Sequence, residues 1–311
     1  MRQTAFAEQF PQAGATFVSD FFTVALLTAT LRMATPLVFA AMGGLLSERS
    51  GVINIALEGM MLTGAFFAVA GTHWTGSSWL GAIIGVGAAS VAGCIHAFWC
   101  ITLRGNQIVA GTAINLMAAG LTAFLIQIIW GRAGGTDSVS QLPDVFGGVN
   151  ILIIAAIVLV PLVHFYLFRT KQGLHTMASG ESPQAAESVG IDVTRNRYLA
   201  VVASGALAGC GGVFLSIGNL SYFTIDMTAG RGFIALAAVI FGGWTPFGAA
   251  AAALLFGSAQ AVQIQAQATS GFPVSPDLLV ALPYLLTLIA VTGLIRNSPA
   301  PAGLGKHANA H

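Results

Sequence analysis

Apolar runs of about 20 residues or more recur along the chain, near 21–46, 52–71, 79–103, 107–130, 150–168, 197–218, 232–267 and 278–296. Such a run matches the length of α-helix needed to cross the hydrocarbon core of a bilayer. Inside lipid every backbone N–H and C=O must find a partner within the protein, which favours helices wherever the apolar stretches are this long. Composition agrees: 7% of residues are charged and 56% hydrophobic, against about 25% and 45–50% in soluble domains. Twelve basic and eleven acidic side chains are too few to cover a water-facing surface, so lipid must cover the rest. The expected fold is all-α, a polytopic transmembrane bundle of about 8 to 10 helices, some of them discontinuous.

The run at 232–267 is too long for one crossing. It breaks at Gly242-Gly243-Trp244-Thr245-Pro246, where glycines and proline end a helix and the tryptophan is expected at the headgroup level. The organisation expected is a short extracytoplasmic or interfacial segment over residues 1–20, one transmembrane domain over 21–296 with a cytoplasmic loop at 169–197, and a C-terminal tail over 297–311. Glu8, Pro11 and Asp20 interrupt residues 1–20, so no cleavable leader is expected there.

Arg169, Lys171, Arg195 and Arg197 cluster in the 169–197 loop, and basic loops stay in the cytoplasm. Alternation then puts 131–149, 219–230 and 268–277 outside. Arg104, residues 242–246 and the tail fall inside, with the N-terminus outside unless a half-span near Glu48 to Glu58 reverses the parity. Small residues four apart, as at Gly81/Gly85, Ala89/Gly93 and Gly205/Gly209, are expected to form helix–helix seams. The segments opening at Ser50-Gly-Val-Ile and Arg231-Gly-Phe-Ile echo one another in oppositely directed spans, the arrangement of an inverted repeat.

Several polar residues stand at membrane depth. A carboxylate at the bilayer centre costs roughly 2.5–3.5 kcal/mol, yet Gly51-Val-Ile-Asn-Ile-Ala-Leu-Glu-Gly59 carries Asn54 and Glu58 on one helical face. Gln107, Thr112 and Asn115 lie on a later span, and Gln260, Gln263 and Gln267 form a stripe at i, i+3, i+7. Asn and Gln suit a neutral solute rich in hydroxyls and amides, since each offers both donor and acceptor. These eight residues are the expected substrate pathway, with interhelical hydrogen bonding as the competing role for each. For Glu58 the favoured role is structural, pairing with Arg32 or Arg49 to pin a broken helix.

On the cytoplasmic loop, Ser182-Pro-Gln-Ala-Ala-Glu-Ser-Val-Gly190 has an N-cap serine, proline at the first helical position and a terminating glycine. A helix of about two turns follows from that pattern. Ala185 and Ala186 leave it slim enough for a protein groove, and it lacks the basic face or bulky apolar residues of a membrane-lying helix.

This stretch resembles the Ala-Ala-x-x-x-Gly loop through which ABC-importer permeases dock on their ATPases. Residues 178–193 around it are similar to the branched-chain amino acid/simple sugar permease family. Three further blocks resemble its nucleoside-type members, in order: Glu48-Arg-Ser-Gly-Val-Ile-Asn-Ile-Ala-Leu-Glu-Gly-Met-Met-Leu-Thr-Gly-Ala-Phe66, Gly105-Asn-Gln-Ile-Val-Ala-Gly-Thr-Ala-Ile-Asn-Leu116 and Gly230-Arg-Gly-Phe-Ile-Ala-Leu-Ala-Ala-Val-Ile-Phe-Gly-Gly-Trp244. Gln184 departs from the glutamate common at that position, which makes the contact depend less on charge.

The resemblance implies a bacterial inner-membrane permease subunit of an ATP-driven importer for nucleosides or related simple sugars, working by alternating access. Ser182, Pro183, Gln184, Ala185, Ala186, Glu187 and Gly190 would form the coupling helix. Partners implied are an ABC ATPase that binds the ATP and Mg, a second permease chain (paralogous heterodimer, or homodimer), an extracytoplasmic substrate-binding protein and membrane lipid. The residues agree on the negative side. Gly305-Lys306 is followed by His307 and has Ala300 where a Walker A loop needs glycine, so ATP hydrolysis is expected elsewhere. Gly230-Arg-Gly-Phe-Ile-Ala235 lacks the preceding strand of a dinucleotide site. Cys94, Cys100, Cys210 and the six histidines show no metal or catalytic spacing, so no cofactor, metal or enzymatic site is expected. A net charge of +1 gives no basic stripe for nucleic acid. An ion-coupled secondary transporter of a small polar solute is the alternative reading; it needs an ionisable relay at mid-membrane.

Overall fold

The computed structural model describes residues 24–146, 149–268 and 300–306. Its helices are α1 (Val24–Arg49), α2 (Leu57–Thr75), α3 (Ser78–Ala97), α4 (Gln107–Trp130), α5 (Ile151–Arg169), α6 (Lys171–Glu181), α7 (Pro183–Ser188), α8 (Val193–Val213), α9 (Arg231–Phe241) and α10 (Pro246–Ala268). α3 and α8 continue as wider π-turns over Phe98–Thr102 and Phe214–Leu220. A small hairpin pairs β1 (Asp144–Phe146) with β2 (Val149–Asn150), antiparallel, with Asp144 opposite Asn150. Six helices among the described residues are long and apolar enough to span a bilayer, so the all-α polytopic bundle is as expected. The expected crossing at 278–296 and the segment 1–20 lie outside the described residues.

Helix ends follow local chemistry. Asn106, Asn150, Thr170 and Asp192 each stand just before a helix and accept hydrogen bonds from first-turn amides of α4, α5, α6 and α8, satisfying donors that have no intrahelical acceptor. Two expected crossings take another form. The run at 52–71 is helical only from Leu57, and Gly51 to Ala56 is unwound. The long run does break at 242–246, but α9 has 11 residues, about 16 Å at 1.5 Å per residue, or half a bilayer core.

The helices gather their loops at two ends. At one end Arg49 lies 3.8 Å from Glu181 and donates to the Trp244 carbonyl, while Gly305 N–H reaches Gly51 O. That end carries the basic 169–197 loop, the one expected in the cytoplasm. At the other end the amides of Thr136, Val139 and Leu142 donate to the carbonyls of Phe223, Ser221 and Ile217. The described loops therefore group at two ends as the alternation expects, except that residues 225–230 turn back into the bundle to start α9, while 269–277 lies outside the described residues. Trp244 is buried rather than at the headgroups. Its indole N–H donates to Glu48 at 2.5 Å, because a buried indole needs an acceptor.

The core is a slab of α1, α2, α3 and α8. Its seams are the expected small-residue pairs. A Cβ on Gly85 would sit 2.5 Å from Gly64 O, one on Gly205 would sit 2.6 Å from Ala89 O, and one on Gly209 would sit 2.5 Å from Ala89 Cβ. Lipid provides no hydrophobic drive between helices, so this backbone approach supplies the packing. Phe66 of α2 meets Trp130 and Phe223 edge to face, tying α4 and the 221–230 loop to the slab.

Gly205→Leu is expected to lower stability by about 1–3 kcal/mol or more, since overpacking forces the backbones apart. Gly87→Leu, on α3 with nothing within 4 Å of its Cβ, is expected to be neutral. Thermal unfolding of the detergent-purified variants compares them; equal melting temperatures would contradict the seam.

Candidate functional site

The unwound Gly51 to Ala56 segment leaves backbone polar groups without helical partners inside the bundle, and side chains from neighbouring helices pair them. Gln107 Oε1 accepts from Ile53 N at 2.7 Å. His96 Nε2 lies 3.1 Å from Ile53 O, and since a carbonyl only accepts, that nitrogen carries the proton. Asn115 Nδ2 donates to Ile55 O at 3.0 Å, and its Oδ1 accepts from Gly59 N at 2.8 Å. Asn54, fully buried, donates to Ser204 Oγ at 2.8 Å and accepts from Ala56 N at 3.1 Å. Ser47 Oγ donates to Val52 O. In hydrocarbon each of these groups left unpaired would cost several kcal/mol.

Glu58 completes the arrangement. It sits in the first turn of α2 and accepts from Gly230 N at 2.8 Å and Gly232 N at 2.6 Å, the opening of α9. Two helix N-termini thus meet at one carboxylate, where the positive ends of both dipoles favour negative charge. Gly232 permits the approach, because a Cβ there would lie 2.4 Å from Glu58 N. The ion pair of Glu58 with Arg32 or Arg49 expected from sequence gives way to backbone partners. The bonds go to backbone amides of α9, and Arg49 instead serves Trp244 and Glu181.

The other candidates are dispersed. Thr112 is exposed on the outer face of α4 and donates to Ile108 O within its own helix. Gln260 and Gln263 are half-buried and Gln267 is exposed on α10. Gln260 Oε1 is buried without a hydrogen-bond partner among the described residues. Asn54, Glu58, Gln107 and Asn115 converge on the broken helix, while Thr112 and the glutamine stripe stand apart from it. The convergence includes His96 and Ser204, for which sequence offered no signal beyond a polar residue in an apolar run.

The short cytoplasmic helix forms where expected, with Pro183 in its first turn and Gly190 in the left-handed region at φ 83° just past its end. Ser182 takes the N-cap position without a side-chain cap bond. The two alanines do not share a surface. Ala186 is packed inward with Pro183, and the outward face carries Gln184, Ala185, Glu187 and Ser188, continued by Val189 at 75% exposure. That face therefore combines one exposed apolar side chain with small and polar residues and a single acid, Glu187. Among the described residues no group of three His, Cys, Asp or Glu side chains could hold a metal.

Residues 26–291 match the family described as the branched-chain amino acid transport system permease component. Two Bacillus subtilis proteins are similar to the chain. The guanosine ABC transporter permease protein NupQ is 39% identical, over 90% of this chain and 95% of its own. The guanosine ABC transporter permease protein NupP is 24% identical, over 86% and 81%. The putative glucose ABC transporter permease protein TsgC13 of Haloferax volcanii is 33% identical, over 87% and 92%.

Glu58→Gln removes one of two acceptors from a pair of buried amides, a loss of about 1–3 kcal/mol. The expected result is a melting temperature lower by several degrees in detergent. An unchanged melting temperature would show that the carboxylate does not hold α9.

Proposed function

The chain belongs to the branched-chain amino acid transport permease family and is a multi-pass permease subunit of an ABC importer in the inner membrane; from that premise we propose that its cargo is a nucleoside. The observation that carries the coupling half of this reading is α7, a short helix with Pro183 in its first turn, at the end the basic loops assign to the cytoplasm, whose outward face is exposed. A partner ATPase is the occupant we assign to that face, since the chain carries no Walker A loop of its own.

The substrate class rests on the names of the relatives. Two are guanosine permeases and one a putative glucose permease, which share a hydroxyl-rich neutral sugar. Among the expected pathway residues, Gln260, Gln263, Gln267 and Thr112 remain those proposed to meet solute, as their side chains are not engaged by the unwound segment. Asn54, Glu58, Gln107 and Asn115 shape the wall that the path runs along. NupP and NupQ together support a paralogous second permease as partner, and an extracytoplasmic binding protein is proposed to deliver the solute. An ion-coupled carrier requires a free ionisable relay at mid-membrane, and Glu58 is held by two backbone amides.

Ala185→Arg places a bulky charge on the outward face of α7 while leaving Ala186 packed. In proteoliposomes holding the whole importer, guanosine uptake by this variant is expected to fall at least about tenfold, within the usual range of coupling energies. The protein should still fold. Wild-type uptake by Ala185→Arg would count against the docking face, and uptake that persists without ATP but collapses with a protonophore would overturn the importer reading. Excess unlabelled adenosine should compete with labelled guanosine, and glucose should not.

A further inference from the structure

Three segments remote in sequence converge on one guanidinium at the cytoplasmic end. Arg197, on the first turns of α8, is 2% exposed. Its Nε donates to Ser50 O at 3.1 Å, its Nη1 to Lys306 O at 2.9 Å and its Nη2 to Ser179 O at 3.4 Å. Ser50 opens the unwound segment, Ser179 lies near the end of α6 just before α7, and Lys306 belongs to the tail. A planar fork of donors can serve three carbonyls in fixed directions at once, which an ammonium on a flexible stem cannot do. All three acceptors are backbone, so what the side chain holds is the course of the chain itself. The acidic charge that acts on it is Glu187, on α7.

The same three segments also touch directly. Gly303 N donates to Gly180 O at 2.8 Å and Gly305 N to Gly51 O at 3.0 Å, while Ala302 N donates to Glu181 Oε2 at 3.1 Å. Glycine is needed at the contacts. A Cβ on Gly180 would lie 2.2 Å from Arg49 O, and one on Gly303 would lie 2.6 Å from Gly180 O and 3.0 Å from Pro183 Cδ. Backbone pressed on backbone leaves no side chain to absorb a displacement, and packed interiors transmit strain. From Gly51 the path continues through the paired unwound segment to Glu58 and so to the start of α9. A second branch runs from Glu181 through Arg49 to the Trp244 carbonyl at the α9–α10 turn.

We propose that Arg197 and the strap at 302–306 form the junction that transmits movement of α7 to the unwound segment, so that nucleotide-driven motion outside the membrane becomes rearrangement of the broken helices within it. Arg197 is a positioning residue here: it touches neither solute nor nucleotide and acts through the carbonyls it holds. This rests on the permease reading above.

The test uses the complete importer in proteoliposomes, reading guanosine uptake and ATP hydrolysis from the same vesicles. Arg197→Lys keeps the charge and loses the fork; Gly303→Val drives a side chain into Gly180 O and Pro183. Each is expected to raise the ATP hydrolysed per guanosine about tenfold, with hydrolysis continuing and subunits still assembled. Lys306→Ala, which leaves the carbonyl that Arg197 uses, should keep the wild-type ratio. Should Arg197→Lys fail to assemble, Gly303→Val decides alone, since it leaves Arg197 and its three carbonyls in place and strains only the contact of the tail with Gly180 and Pro183. Assembled variants with the wild-type ratio would overturn the junction while leaving the permease reading intact. A wild-type complex that takes up no guanosine on ATP would sink the cargo reading itself.

Discussion

An unwound backbone that enters the bundle from the end holding Gly305 and is buried within it is the constraint around which the rest of the helices are arranged. Gly51, Val52, Asn54 and Ala56 are buried and Ile53 and Ile55 half-buried, so the amides and carbonyls of the segment are largely shut off from water and need partners within the protein. The structure answers with Gln107 and Asn115 from α4, His96 from α3 and Ser204 from α8, each bonded to the broken segment directly or through Asn54. The polar residues of separate helices are therefore parts of one network. A fully satisfied polar network of this kind specifies its neighbours closely, because any shift that breaks one bond strands a partner in an apolar surrounding.

Breaking a helix also creates a new N-terminus. α2 and α9 both start inside the bundle, and Glu58 lies where the two starts meet. The two helices lead away from this point, and the carboxylate joins them where their dipoles are both positive. The glycine seams make room for this junction, since α2, α3 and α8 approach until their backbones touch. Rigid seams around a discontinuous pair suit a transporter, in which bodies must move as units about a few interrupted positions.

Much of this was legible from pattern. Six of the spans, the break at 242–246, the seams at Gly81/Gly85 and Gly205/Gly209, and the short helix followed by Gly190 each follow from local composition and backbone preference, which sequence states directly. Where expectation and structure part, a tertiary partner decides. Trp244 is drawn inward because Glu48 supplies an acceptor, and Ala186 is hidden because α7 lies against the body of the chain. Arg197 reads as one more cytoplasmic basic residue, yet three carbonyls from remote segments surround it.

By itself, then, the sequence determined that the chain spans a membrane, roughly where it does so and which family it resembles. Those properties depend on hydropathy, charge bias and ordered motifs, all local in the chain. Only the tertiary structure decided which polar residues hold the bundle together and which remain open. Asn54 and Gln107 carry the same chemistry as Gln260 and Gln263, and nothing in their local patterns separates them. The difference is whether an unpaired carbonyl or amide of a distant segment lies within hydrogen-bond reach, and that is set by how the broken helices cross.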